Sequence, residues 1–167
     1  MQPADSPFHI RGDVRHVLDL YAPWDLMIAF PPCTYLAGSG LHWNTRRPGR
    51  AELTEEALCF VRWLLDAPVP RIALENPVGC ISTRIRKPDQ IIQPWQFGHP
   101  ESKKTCLWLK GLPLLEPTNV LPLPACGHWE NQTASGQNRL GPSTERAAIR
   151  AKTYEGIGEA MADQWSK

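Results

Sequence analysis

The feature that most constrains this chain is the way proline closes its apolar runs. Asp25-Leu-Met-Ile-Ala-Phe30 is followed at once by Pro31 and Pro32, and Arg71-Ile-Ala-Leu-Glu75 by Asn76 and Pro77. Proline has no amide hydrogen and a fixed φ, so such a run ends as a regular element at that point. Short apolar runs closed in this way predict buried strands that end in tight loops. Between them, Ala51 to Ala67 carries Leu53, Ala57, Leu58, Val61, Leu64 and Leu65 at helical spacing. Glu52, Glu55 and Glu56 enrich its first turns, and Pro68 ends it. Strand, loop, helix, strand predicts a right-handed crossover unit of a parallel sheet.

The flanks are read in the same way. His9-Ile-Arg-Gly-Asp13-Val14 looks like the end of one more strand. Thr105 to Lys110 alternates as a strand, paired with Ile91 to Phe97. Asn119 to Leu140 is irregular, and Thr144 to Lys152 and Gly156 to Trp165 are helical. The 17 prolines, dense from Pro94 to Pro124, predict short elements joined by stiff loops. At 167 residues the chain is expected to form one domain, residues 1–167, around one core.

Composition excludes several classes. Hydrophobic residues make up 42% and charged residues 21%, as in an ordinary globular domain. No apolar run is long enough to span a bilayer, and Met1 to Pro7 has neither a basic nor an apolar stretch. A cytoplasmic protein with no membrane partner is expected. The net charge of +1 is low for a nucleic-acid binder, although Lys and Arg cluster at Arg46–Arg50, Arg84–Lys87 and Lys103–Lys104. The five cysteines form no Cys-x-x-Cys pair, and Cys126-Gly-His128 lacks a second pair of ligands. Neither a disulfide framework nor a metal site is expected.

Two residues stand where α/β sheets carry chemistry, at the carboxyl ends of strands. Cys33 follows the Pro31-Pro32 turn, in a stiff loop where nearby amides favour thiolate. The alternative for a free cysteine is a buried small hydrophobe. Glu75 ends an apolar strand, where partial desolvation raises a carboxyl pKa and lets it hold a proton near neutrality. The alternative is a turn-capping acid. Together they are a nucleophile and a tuned acid at neighbouring strand ends. The geometry predicts Cys33 at a cleft near Glu75, with Cys59 packed inside on the helix.

Pro31-Pro32-Cys33 resembles the Pro-Cys loop of cytosine carbon-5 DNA methyltransferases. Glu75-Asn76-Pro77 is similar to their Glu-Asn-Val motif, and Gly12-Asp13-Val14 to their Gly-Asp-Ile segment at the end of a third strand. The segments around Asp25–Leu36, Arg71–Gly79 and Thr153–Trp165 resemble compact phage and prophage methylase-like proteins of that family, in bacterial or phage-infected cells. The resemblance implies a truncated Rossmann-like methyltransferase sheet, mostly parallel, with a C-terminal hairpin and helices. It implies that Cys33 attacks carbon 6 of a cytosine, that Glu75 steadies ring nitrogen 3, and that Asn76 orders the loop. Thr34 and Tyr35 would line the pocket of a base extruded from its stack. Arg84 and Arg86, or Lys103 and Lys104, are the candidates for phosphate contact on DNA. Asp13, Pro31 and Pro32 are the candidates for contact with S-adenosylmethionine, together with the tail near Gly156–Gly158.

The family pattern begins two strands earlier, with a glycine-containing loop for the methionine part of the cofactor. The sheet is therefore expected to be truncated beside the strand ending at Asp13. Its open edge would invite a second copy or another chain, and cofactor binding would be weak. Two readings follow. One is a DNA cytosine carbon-5 methyltransferase; the other is a catalytically inactive remnant that binds nucleic acid or a partner protein. A methyltransferase acting on an exocyclic amino group fits less well, because Phe30-Pro-Pro-Cys33 departs from the motif of those enzymes at both ends.

Overall fold

The protein was analysed as a computed structural model that describes residues 9–141, 144, 149, 151 and 153–166. Strand β1 (Leu26–Ala29) leads through helix α2 (Arg50–Leu65) to strand β2 (Arg71–Pro77), preceded by a short helix α1 (Val14–Leu20). Helix α3 (Ile81–Arg84), strand β3 (Gln90–Ile92), strand β4 (Thr105–Lys110) and helix α4 (Glu155–Trp165) follow. The sheet order is β1-β2-β4-β3. The β1–β2 pair is parallel, as the crossover unit predicts. The β2–β4 and β4–β3 pairs are antiparallel. The protein is thus α/β with a mixed four-stranded sheet, in which one of the three pairings is parallel.

Alternation along β2 fixes the two faces of the sheet. Leu74 joins Cys106 and Trp108 of β4 beneath Leu58, Val61 and Leu64 of α2. Ala73 joins Leu107 and Ile92 beneath Ile157, Ala160, Met161 and Trp165 of α4. The sheet is therefore covered on both sides, and β1 contributes Met27 and Ala29 to the first layer and Leu26 and Ile28 to the second. Arg71 ties the layers at one end: its side chain donates to the carbonyls of Asp25 (3.2 Å) and Trp165 (2.9 Å).

Several expectations are corrected here. His9 to Val14 is not a strand. Asp13 is the N-cap of α1, accepting from the Arg15 amide at 2.9 Å, and a short carboxylate before a helical run favours that role over a strand end. The open edge of the sheet accordingly belongs to β1, whose residues are half-buried rather than buried. On α2 the buried stripe is Thr54, Leu58, Val61 and Leu64, and Leu53 is exposed. Thr54 is tolerated inside because its hydroxyl lies 3.2 Å from both the Arg50 carbonyl and Asn44 Oδ1. Cys59, rotated about 100° from Leu58 around the helix, is exposed and not packed. The strand paired with β4 is Gln90–Ile92, and Pro94–Gln96 has turned into a 3-10 helix. The helix expected over Thr144 to Lys152 lies largely outside the described residues.

Proline is accommodated at the end of β2 because β1 stops opposite Leu74, leaving only β4 beside Pro77. Beyond it, Gly79 lets two loops touch. An isolated antiparallel bridge joins Ala37 to Gly79, with the Gly38 amide on the Val78 carbonyl (3.0 Å) and the Cys80 amide on the Leu36 carbonyl (2.9 Å). A Cβ at Gly79 would sit 1.9 Å from the Leu36 carbonyl oxygen. Gly79→Ala should therefore cost about 3 kcal/mol of stability in urea unfolding. A loss below about 1 kcal/mol would mean that the loops part freely.

Candidate active site

The parallel register places Ala29 beside Leu74, so the chain leaves β1 beside Glu75, which stays within β2 opposite Leu107, and the loops after Ala29 and Pro77 share one edge. The loop after β1 is fixed within a few residues. The Cys33 carbonyl accepts from the amides of Leu36 (3.0 Å) and Ala37 (2.9 Å), closing a tight turn. Cys33 and Thr34 are exposed, and Tyr35 is half-buried. Arg50 clamps the turn from α2: Nη2 donates to the Thr34 carbonyl at 2.8 Å, and the guanidinium lies 4.5 Å from the centre of the Tyr35 ring.

Asn76 joins this loop to β2. It is 1% exposed, and its Nδ2 donates to the Pro31 carbonyl at 2.9 Å, while Oδ1 has no hydrogen-bond partner among the described residues. Together with the Ala37–Gly79 bridge, this holds the Cys33 turn and the Glu75-Asn76-Pro77 segment as one body.

Glu75 turns to the opposite face, beneath α4. It borders a small cavity of about 30 Å³ with Phe30, Lys103, Thr105, Tyr154, Ile157 and Met161. Such a volume suits a water, not a base. Cys33 does not line it. Burial raises the Glu75 carboxyl above the ordinary carboxylate range, and the positive charge of Lys103 opposes the rise in part. On the neighbouring strand, burial and then the Glu75 charge push up the Cys106 thiol. The roof is held by Tyr154, whose hydroxyl donates to Glu101 at 2.6 Å. Burial, and then this bond, raise the phenol above its ordinary pKa. The Lys103 ammonium lies 5.6 Å from the centre of the Tyr154 ring.

The other candidates separate. Lys103 and the exposed Lys104 precede β4 at the Glu75 edge. Arg84 is paired with Glu55 at 2.9 Å. Arg86 is paired with Asp89 at 2.7 Å and donates to the Leu109 carbonyl. Arg86, Leu109 and Lys110 line an open cleft of about 570 Å³ with Arg62 and Asp66, at the far ends of β2 and β4. The larger concavity is thus remote from Cys33 and Glu75. Asp13 spends its carboxylate on the α1 cap, with Arg15 at 3.9 Å. Gly156 is required by packing: its Cβ would lie 2.2 Å from the Phe97 carbonyl oxygen. Asp13 thus serves a helix cap and Gly156 a close packing contact. The sequence reading missed the Arg50 clamp and the placing of Tyr154 over Glu75. The basic cluster at Arg46–Arg50 and the tail segment from Thr153 were their only signals.

No family model, curated protein or solved structure matches the chain.

A carboxyl raised in the folded state binds its proton at higher pH there than in the unfolded chain. Between those two values the folded state holds more protons, so stability falls as pH rises through that window. Glu75→Gln should remove this fall. In urea unfolding, the stability of the variant minus that of the wild type should be positive near neutrality and shrink toward about pH 4, the ordinary carboxylate range. A difference independent of pH would show that Glu75 carries no such shift.

Proposed function

We propose that the chain is a DNA cytosine carbon-5 methyltransferase-like protein in which Cys33 attacks carbon 6 of a cytosine and Glu75 serves ring nitrogen 3. The observation that carries the reading is an exposed thiol in the loop after β1 and a carboxyl of raised pKa on the adjacent parallel strand, tied together by the bond from Asn76 to the Pro31 carbonyl. The parallel pair followed by an antiparallel hairpin supports a Rossmann-like methyltransferase sheet. The open edge of β1 is where a second copy or another chain would pair. No helix among the described residues is long and apolar enough to cross a membrane, and we place the protein in the cytoplasm.

The chemistry follows from the two groups. Proton donation to nitrogen 3 draws electron density from carbon 6. The Cys33 thiolate then forms the carbon–sulfur bond, and the displaced electron pair makes carbon 5 an enamine carbon that takes up a proton. Loss of the original carbon 5 proton to water, expulsion of the thiolate and return of the nitrogen 3 proton to Glu75 restore the ring and the acid. Asn76 keeps the turn that carries the thiol in register with Glu75. With Asp13 committed to a helix cap, the chemistry argued for this chain stops at activation of carbon 5. The size of the cavity beside Glu75 favours a second reading, a nucleic-acid-binding protein without turnover.

Activation of carbon 5 exchanges its hydrogen with solvent and needs no methyl donor. A cytosine-containing oligonucleotide incubated with the protein in deuterated water should acquire deuterium at carbon 5. Cys33→Ser should slow this roughly 100-fold or more, whereas Cys59→Ser and Cys126→Ser leave it unchanged. Absence of exchange, or exchange indifferent to Cys33→Ser, would leave the binding reading in its place.

A further inference from the structure

The chain carries no acidic residue between Asp25 and Glu52, a stretch that holds Cys33, Arg46, Arg47 and Arg50. The ion pairs among the described residues occupy Arg15, Arg84 and Arg86, and neither Arg46 nor Arg47 has an acidic partner there. Both are exposed. Both are also placed: their amides bond to the Trp43 carbonyl at 3.0 and 2.9 Å, at the end of the 3-10 helix Gly38–Thr45. The Arg47 guanidinium lies 4.1 Å from the centre of the Trp43 ring, and the His42 ring is tilted against that indole at 4.8 Å. Asn44 Oδ1, bonded to Thr54, holds this segment against α2. The Arg50–Tyr35 stack joins it to the Cys33 turn. Cations and aromatic rings thus alternate on one fixed surface that begins at the nucleophile.

We propose that the surface formed by Tyr35, Trp43, Arg46, Arg47 and Arg50 binds a single-stranded nucleic acid and leads it across the Cys33 turn. This deepens the function proposed above and rests on it. Exposed guanidinium groups without acidic partners suit phosphates, and releasing counterions from them makes binding salt-dependent. Aromatic and guanidinium planes suit bases that are free to stack on protein, as in single strands. Reading a duplex in its major groove takes a helix or a two-stranded ribbon that enters the groove. The element here is a short 3-10 segment held against α2. A strand whose bases are already unpaired also avoids the cost of extruding one from a helix.

Fluorescence anisotropy with a labelled, cytosine-containing single strand and its matched duplex tests this without any cofactor. The single strand should bind at least about ten-fold tighter than the duplex. The double variant Arg46→Gln, Arg47→Gln should weaken that binding roughly ten-fold at low salt. It should also flatten the dependence of log K on log salt by about 1.4, or about 0.7 for each lost phosphate contact. Arg15→Gln should leave binding within about two-fold, since its guanidinium is stacked on Phe60 and Trp63. Thermal unfolding of each variant checks that the fold persists. A duplex bound as tightly as the single strand, or a double variant that binds like the wild type, overturns the proposal. Carbon 5 exchange that persists while the double variant binds normally removes this surface alone. Binding that maps to this surface without any exchange removes the chemistry alone.

Discussion

One buried hydrogen bond does most to make a site out of two loops. Asn76, at the end of β2, is 1% exposed and donates through Nδ2 to the carbonyl of Pro31 at 2.9 Å. Pro31 precedes the Cys33 turn, and Asn76 follows Glu75. The bond spans residues that the parallel β1–β2 pair has already brought side by side, so it costs little chain entropy to form. The Ala37–Gly79 bridge then repeats the connection further out. Proline on both loops limits the ways in which either can move independently.

The second constraint is electrostatic. Glu75 sits on the face of the sheet covered by α4, where burial disfavours its charged form and Lys103 partly offsets that cost. A carboxyl raised in this way weakens the fold as pH rises toward neutrality. Arg50 shows the same division of labour in reverse. Its guanidinium is engaged by the Thr34 carbonyl and the Tyr35 ring, and it holds the Cys33 turn in place, whereas Arg46 and Arg47 project from the adjoining segment.

Much of the core was legible in the sequence because local and tertiary signals agree there. Proline-closed apolar runs became β1 and β2, the amphipathic stretch became α2, and Gly156 to Trp165 fell within α4. The errors occur where several roles compete for one short polar pattern. Gly12-Asp13-Val14 fits both a strand end and a helix start, and the cap to the Arg15 amide decides it. Leu53 and Thr54 fit two overlapping stripes on α2, and the partners of the Thr54 hydroxyl select the second. The spacing of Arg84 and Arg86 does not reveal that they pair with Glu55 and Asp89. The tether from Asn76 to Pro31 joins residues far apart in the chain, and only the strand register makes it possible.

Native-state hydrogen exchange on Asn76→Ala tests most directly whether the two loops form one body. The Gly38 and Cys80 amides are bonded across the loops, to the Val78 and Leu36 carbonyls. If the Asn76 tether holds both loops, its loss should speed exchange at both amides together, by roughly ten-fold for about 1.4 kcal/mol of lost hydrogen bonding. The amides within β4 should stay protected. Faster exchange at only one of the two amides, or at neither, would contradict the account, since Cys33 and Glu75 would then be held by separate structures.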